Sequence, residues 1–396
     1  MHRKGNVMKK KLLVILPAAM EVGGVERSLI GLLGALDYER YEVDLFLYGH
    51  HGPLFDGIDP RVNLLPEVKE LSYLRSSFAE KLRYGCYYAA LLRLWDAVKA
   101  PFVTVKPDQN WRKILCRVAN PLPACYDLAL SFFLPFDFLH EKVTAKVKMG
   151  WIHTDYSVEA SDMAFLAEQY GKVDVIAAVS EACRTTFIRQ LPQFADRVTV
   201  IENILPETLI RRQAEAFAVA DEMPTKGIRL LSVGRYCTAK NFDNLPDICA
   251  RLVKDGLDVY WYVIGFGPDE ELIRQRIAEA GMEDRVILLG KKENPYPYIA
   301  ACDLYLQPSR YEGKCVSVRE AQLLGKPVVI TRYPTSASQL IDGVDGVIVP
   351  LDNEGCAAGI ASLLRDPDRM AALSRACGER EYAGKGEVEK LYDLLG

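Results

Sequence analysis

Residues Pro308 to Pro327 read PSRYEGKCVSVREAQLLGKP, and within them the chain changes periodicity. The run leading into this stretch, CDLYLQPS, has the short apolar character of a buried strand and ends at Ser309. An amphipathic, helix-spaced pattern starts near Val316. Glu312 is therefore expected on a loop beyond the carboxyl end of a strand. Glu320 is expected inside the following helix, facing the same crevice. The first N–H groups of such a helix are unpaired and carry the positive end of its dipole, so the junction attracts phosphate. Carboxylates at the same place serve a different purpose: they grip diols, such as the hydroxyls of a ribose or a hexose. Together these features point to a sugar nucleotide.

The strand-to-helix alternation continues in both directions. Strand candidates in the first half are LLVILP, YEVDLFLY, YDLALSFF, KVKMGWIH, VDVIAAVS and VTVIEN. The second half offers IRLLSVG, LDVYWYVIG, RVILLG, CDLYLQ, KPVVIT and GVIVP. Helical patterns lie between them, which predicts parallel sheets covered on both faces. A polar, strand-free stretch, PETLIRRQAEAFAVADEMPTKG, separates the two series, and the boundary is expected around residues 205–226. The expected fold is α/β, with two Rossmann-like domains facing across a cleft. A chain of 396 residues, 49% hydrophobic, also suits two cores better than one.

A formal net charge of −4 argues against general nucleic-acid binding. The ten cysteines show no C-x-x-C or metal-ligand spacing. Cys116, Cys183, Cys249 and Cys302 fall in apolar runs and read as small buried hydrophobes, which suits a reducing cytosol. The amino terminus, MHRKGNVMKKKLLVILPAAM, imitates a signal peptide but reads as a first buried strand. A helix follows at once, with Val25, Leu29, Leu32, Leu33 and Leu36 on one face. No stretch approaches the roughly 20 apolar residues of a membrane span, so a cytoplasmic protein is expected. Met8 is an alternative start. Between Glu80 and Val118, eight Lys or Arg face three acids and interleave with aromatics and leucines. This segment reads as a helical pair packed on the first domain with solvated cations. The alternative is peripheral contact with an anionic membrane surface, where a lipid-linked acceptor would be found.

The motif of Glu312, Gly313 and Glu320, then Ala321, Gly325 and Lys326-Pro327-Val328-Val329, resembles the retaining glycosyltransferases of family 4, which have the two-domain GT-B fold. The segment NPYPYIAACDLYLQPSRYEG is similar to the bacterial capsule and surface-polysaccharide branch. The resemblance implies an acceptor domain over residues 1–205, a donor domain over 206–380 and a final helix, 381–396, returning to the first domain. It implies that Glu312 holds the donor sugar's hydroxyls and Glu320 the ribose. The backbone of Gly313, Lys314 and Cys315 would contact sugar and diphosphate, with Val316 in the same donor-binding set. Lys291 follows the RVILLG strand, where the family's backbone meets the base, and UDP is the expected nucleotide.

Other motifs take their place around this reading. In SVGRYCTAKNFDNL, Gly234, Arg235 and Lys240 are similar to the family's phosphate clamp, although Asn241 stands where glycine is common. Two fixed cations and a helix amino terminus neutralise a departing diphosphate without metal, so no metal or other cofactor is expected. Gly23 and Gly24 precede the first helix, and Gly24 is expected near the diphosphate or the acceptor. His153, just past a strand, matches the family histidine that approaches the donor sugar, with Asp155 nearby to orient it or contact acceptor. Asn203, which marks the end of the first domain as the family's interdomain Asn does, reads as a turn residue, and Asn294 as a helix cap. Lys314 departs from the small or apolar residue usual after E-G; it reads either as a cation favouring an acidic substrate or as a solvated lysine. VIGFGPDEEL lacks the third glycine of a dinucleotide fingerprint and reads as a tight turn. Asp366-Pro367-Asp368 reads as a helix break and restart. His50-His51 lies in a loop without partners for a metal.

The expected activity is retaining transfer of a hexose or N-acetylhexosamine from a nucleotide sugar to a glycan or lipid-linked glycan, in surface polysaccharide synthesis. The rivals are a catalytically silent subunit scaffolding another transferase, and an epimerase or hydrolase on the same fold.

Overall fold

A computed structural model describes residues 9–73, 78–88, 90, 91, 94, 118–154 and 162–395. Two all-parallel sheets organise it. The first contains β1 (Lys10–Leu16), β2 (Tyr41–Leu47), β3 (Asn63–Leu64), β4 (Cys125–Ser131), β5 (Thr144–Ile152), β6 (Val175–Ala178) and β7 (Val198–Val200). Their order is β3-β2-β1-β4-β5-β6-β7. The second sheet contains β8 (Ile228–Val233), β9 (Val259–Ile264), β10 (Val286–Gly290), β11 (Leu304–Gln307), β12 (Val328–Thr331) and β13 (Val347–Val349), in the order β10-β9-β8-β11-β12-β13. Twelve of these strands coincide with the apolar runs of the sequence. They are legible because a parallel sheet is buried on both faces, so its strands are apolar without alternation. The edge strand β3 is two residues long and carried no such signal.

Strand order reverses in each sheet at one place, between β1 and β4 and between β8 and β11. Loops leaving neighbouring strands there go to opposite faces, which opens a crevice at the carboxyl ends. This is the GT-B arrangement, two Rossmann-like domains with their crevices opposed. The chain crosses between domains near Leu205 and again near Ala383, where the Leu205 N–H donates to the Ala383 carbonyl at 2.7 Å. After that second crossing the helix Val388–Leu395 lies on the first domain. Leu391 is fully buried in that domain's core, and Tyr392 stacks on Tyr41 with ring centroids 4.6 Å apart. The Asp37 N–H also donates to the Tyr392 hydroxyl at 2.7 Å.

The Asp366 side chain accepts from the Arg369 N–H at 2.9 Å, and Pro367 opens the helix Pro367–Glu379, so the acidic pair caps a helix. A Cβ on Gly265 would lie 1.9 Å from the Gly234 carbonyl, so the turn after β9 packs backbone to backbone against the loop after β8. Cys183, Cys249 and Cys302 are buried, while Cys116 lies outside the described residues. Met8, Asp155 and most of residues 95–118 also lie outside them. Within the described part of the basic segment, Lys81 is 2% exposed and so is not a solvated cation. No helix among the described residues is long and apolar enough to cross a membrane.

Because Leu391 belongs to the first domain's core, Leu391→Ala should cost about 2–5 kcal/mol of that domain's stability. Chemical denaturation followed by a first-domain probe such as Trp151 checks this. An unchanged midpoint would detach the final helix from that core.

Candidate active site

The opposed crevices enclose a cavity of about 430 Å³. Gly23, Gly24, Glu26 and Arg27 contribute to it from the loop after β1 and the helix Gly24–Ala35, and His153 from the end of β5. The second domain supplies Gly234, Arg235 and Lys240 after β8, Lys291 after β10, and Glu312, Lys314, Cys315 and Val316 after β11.

Hydrogen bonds tie the β8 and β11 loops together. The Arg310 guanidinium donates to both carboxylate oxygens of Asp243 at 2.8 and 2.7 Å, and its backbone N–H reaches the Ala239 carbonyl at 2.8 Å. Gln307 donates to Ser309 Oγ at 2.9 Å, and Thr335 Oγ1 donates to the Glu312 carbonyl at 2.7 Å. Held this way, Glu312 meets the Lys240 ammonium at 2.6 Å. Burial disfavours the charge on Lys240, but nearby Cys315 and Glu312 outweigh that and raise its pKa. Glu312 is the effective partner, because burial also pushes the Cys315 thiol up and keeps it neutral. Asn241, next in the chain, has φ 60°, a left-handed conformation that asparagine tolerates, which explains how it replaces glycine. Arg235 is exposed in the cavity and makes no hydrogen bond or ion pair with the described residues.

The first-domain wall carries His153. Burial pushes its imidazole down to about 4 against the opposing bond to the Phe132 backbone, so the ring is neutral near pH 7. Its Nε2 is buried without a partner among the described residues, and the ring lies 5.2 Å from Phe132 and 6.0 Å from Trp151 between centroids. Gly24 approaches the opposite domain, since a Cβ there would sit 3.4 Å from the Val316 Cβ. The amino termini of the helices Gly24–Ala35 and Val316–Leu323 thus converge.

Other expected ligands already have partners within the protein. Glu320 is fully buried and does not line the cavity. Its carboxylate receives Arg27 Nη1 at 3.2 and 3.4 Å and the Tyr296 hydroxyl at 2.8 Å. The Cys315 N–H donates to Gln339 Oε1 at 2.7 Å. A Cβ on Gly313 would lie 2.6 Å from the His153 carbonyl, which makes Gly313 an interdomain contact. Lys314 lines the cavity but is not solvated: its buried side chain is paired with Glu202, and burial lowers its pKa. Lys291 reaches across to Glu21 at 3.4 Å. Asn203 is no mere turn residue, because it lines the cavity, is 4% exposed and leaves Oδ1 without a partner. The Asn294 side chain accepts from the Tyr296 N–H at 3.1 Å, as a cap should.

Sequence reasoning passed over Glu26 and Arg27. The available signal was two adjacent charges in the first turn of a largely apolar helix, one residue beyond a glycine pair. Among the described residues, no group of three His, Cys, Asp or Glu side chains is arranged to hold a metal ion.

Comparison with known proteins agrees with this geometry. Residues 214–381 match the family described as Glycosyl transferases group 1. The chain is 28% identical over 217 residues to the N-acetylgalactosamine-N,N'-diacetylbacillosaminyl-diphospho-undecaprenol 4-alpha-N-acetylgalactosaminyltransferase of Campylobacter jejuni, covering 54% of this chain and 57% of that one. It spans about half of a Rhizobium meliloti lipopolysaccharide core glycosyltransferase, LpsE, at 27% identity. An uncharacterized glycosyltransferase of Haemophilus influenzae is 22% identical and aligns over 94% of this chain and 96% of its own. In fold, the chain resembles Anabaena Alr3699/HepE in complex with UDP-glucose, with a TM-score of 0.68 at 18% identity, covering 96% and 99% of the two chains.

Removing one member of a buried ion pair strands the other charge, at about 3–5 kcal/mol. Arg27→Met should therefore destabilise the protein by that order, and adding Glu320→Gln should recover part of the loss. A double-mutant cycle by chemical denaturation measures the coupling, and additive single effects would remove it.

Proposed function

We propose that the protein is a retaining glycosyltransferase that moves a hexose or N-acetylhexosamine from a UDP-linked donor to a glycan or lipid-linked glycan in bacterial surface polysaccharide synthesis. The observation that carries the reading is Arg235, a cation without a counter-charge among the described residues, in a cleft whose other wall pieces are Lys240, Glu312 and a helix amino terminus. Anion and sugar hydroxyls are thereby served within one cavity of about 430 Å³, and this falls within the usual range for small-molecule sites.

In the reaction, the bond between the sugar's C1 and the β-phosphate oxygen breaks while an acceptor hydroxyl attacks C1 on the same face. The hydroxyl proton passes to the departing phosphate oxygen. Arg235 and Lys240 stabilise the developing charge without metal. Neutral His153, with its free Nε2, positions a sugar hydroxyl from the first domain. The Campylobacter jejuni relative is named for a diphospho-undecaprenol-linked acceptor, which supports a lipid-linked glycan here. We place the enzyme in the cytoplasm, working at the inner membrane face through peripheral contact.

Thermal shift against UDP, GDP and ADP, then their sugar conjugates, tests the reading. A ligand at about 100 times its Kd should add about 2.7 kcal/mol to stability. The gain should appear with UDP compounds, persist in EDTA and vanish in Arg235→Ala/Lys240→Ala. Stabilisation by another nucleotide would change the donor, and loss of the gain in EDTA would require a metal. No stabilisation by any of them would favour a silent scaffolding subunit.

A further inference from the structure

We propose that Glu26 binds the donor's diphosphate as a neutral carboxylic acid, donating its O–H to a phosphate oxygen, so that donor binding takes up a proton. This inference rests on the donor-site reading above and adds a residue on the first domain to it.

The charge balance of the cavity leads to it. Lys240 is committed to Glu312, Lys314 to Glu202, Lys291 to Glu21 and Lys292 to Glu222. Arg27, beside Glu26 on the same helix, is committed to Glu320. Among the described cavity residues this leaves Arg235 as the cation without a counter-charge. An ionised Glu26 would offset that single positive charge in a cavity that has to hold a dianionic diphosphate. A protonated Glu26 adds a donor instead.

Geometry puts the carboxyl in reach of such a ligand. Glu26 lines the cavity in the first turn of the helix Gly24–Ala35, whose amino terminus converges with that of Val316–Leu323. Its side chain folds back over Gly23, since a Cβ on that residue would lie 2.3 Å from Glu26 Oε2. Gly23 therefore leaves the space that the carboxyl occupies. Asn203, almost fully buried and lining the same cavity, leaves Oδ1 without a partner among the described residues.

Burial raises the Glu26 carboxyl to about 7, against the pull of its own backbone N–H and of Arg27, and with a smaller push from Glu21. His153, held near 4, does not titrate in this range, and burial keeps Cys315 a thiol. Lys314 is the competing candidate, because its pKa is lowered and it shares the cavity. The sign follows directly. A bound anion raises the Glu26 pKa further, so the complex stays protonated while the free protein loses its proton above about pH 7.

Isothermal titration with UDP-glucose between pH 6.5 and 8.5, in buffers of differing ionisation enthalpy, tests this; the diphosphate of a nucleotide sugar does not itself titrate there. Wild-type Kd should be flat at low pH and then weaken by about tenfold per unit, with uptake of close to one proton. Glu26→Gln should bind with a flat profile and no uptake, and Lys314→Met should keep the wild-type slope. A slope that survives in Glu26→Gln and vanishes in Lys314→Met overturns the proposal in favour of Lys314. A flat wild-type profile overturns it outright. Absence of UDP-glucose binding at every pH, together with no stabilisation by other nucleotide sugars, would instead remove the donor-site reading itself.

Discussion

A guanidinium from the first domain is buried against a carboxylate from the second, and the shape of the cavity depends on that contact. Arg27 and Glu320 are 293 residues apart in sequence and 3.2 Å apart in space, with exposures of 6% and 0%. Removing two such charges from water costs several kcal/mol each, and their attraction repays this only with good geometry and further hydrogen bonds. Tyr296 supplies both: its hydroxyl donates to Glu320, and its ring lies 5.2 Å from the Arg27 guanidinium carbon. The pair therefore fixes the spacing of the helices Gly24–Ala35 and Val316–Leu323 more sharply than apolar packing would. That spacing sets where the two helix amino termini meet.

A second polar cluster connects this contact to the interdomain crossings. Arg319 donates to the Asn203 carbonyl at 2.8 Å and also to the Tyr382 carbonyl. The Glu202 N–H donates to Glu387 Oε2 at 2.8 Å, and the Glu202 carboxylate takes Lys314. Both crossings of the chain are thus bonded to the loop and helix that carry Glu312 and Glu320. A rotation of one domain against the other at these crossings has to move the β11 loop with it. Lys314, which from sequence read either as a cation favouring an acidic substrate or as a solvated lysine, belongs to this coupling.

Legibility in the sequence followed the range of the interactions. Twelve strands could be read because burial on both faces makes each one apolar by itself. The places of Arg235, Lys240 and Glu312 in the cleft could be read because a parallel α/β sheet opens its crevice at the carboxyl ends of its strands, and each follows such an end by a few residues. Glu320, Lys314 and Asn203 were named, but their surroundings were misjudged. Their partners come from the other domain, and no local periodicity encodes a pairing across hundreds of residues. Arg27 and Glu26 were missed for a related reason. Charges in a helix's first turn ordinarily read as a solvated end, and only the opposing domain turns this one into a buried wall.

The same pairing bears on which ligand the cavity prefers. Lys240 and Glu312 satisfy each other, so a ligand that engages only one of them strands the other in a partly buried site. An inorganic or terminal phosphate would draw Lys240 away and leave Glu312 uncompensated. A sugar alone would do the reverse. On the proposed donor reading, a nucleotide sugar brings an anion and a set of hydroxyls at fixed separation, so it re-satisfies both partners in one step. The cost of opening the ion pair is then met only by a ligand carrying both groups. Discrimination for the intact donor over its fragments would follow from one 2.6 Å contact, without a dedicated recognition loop.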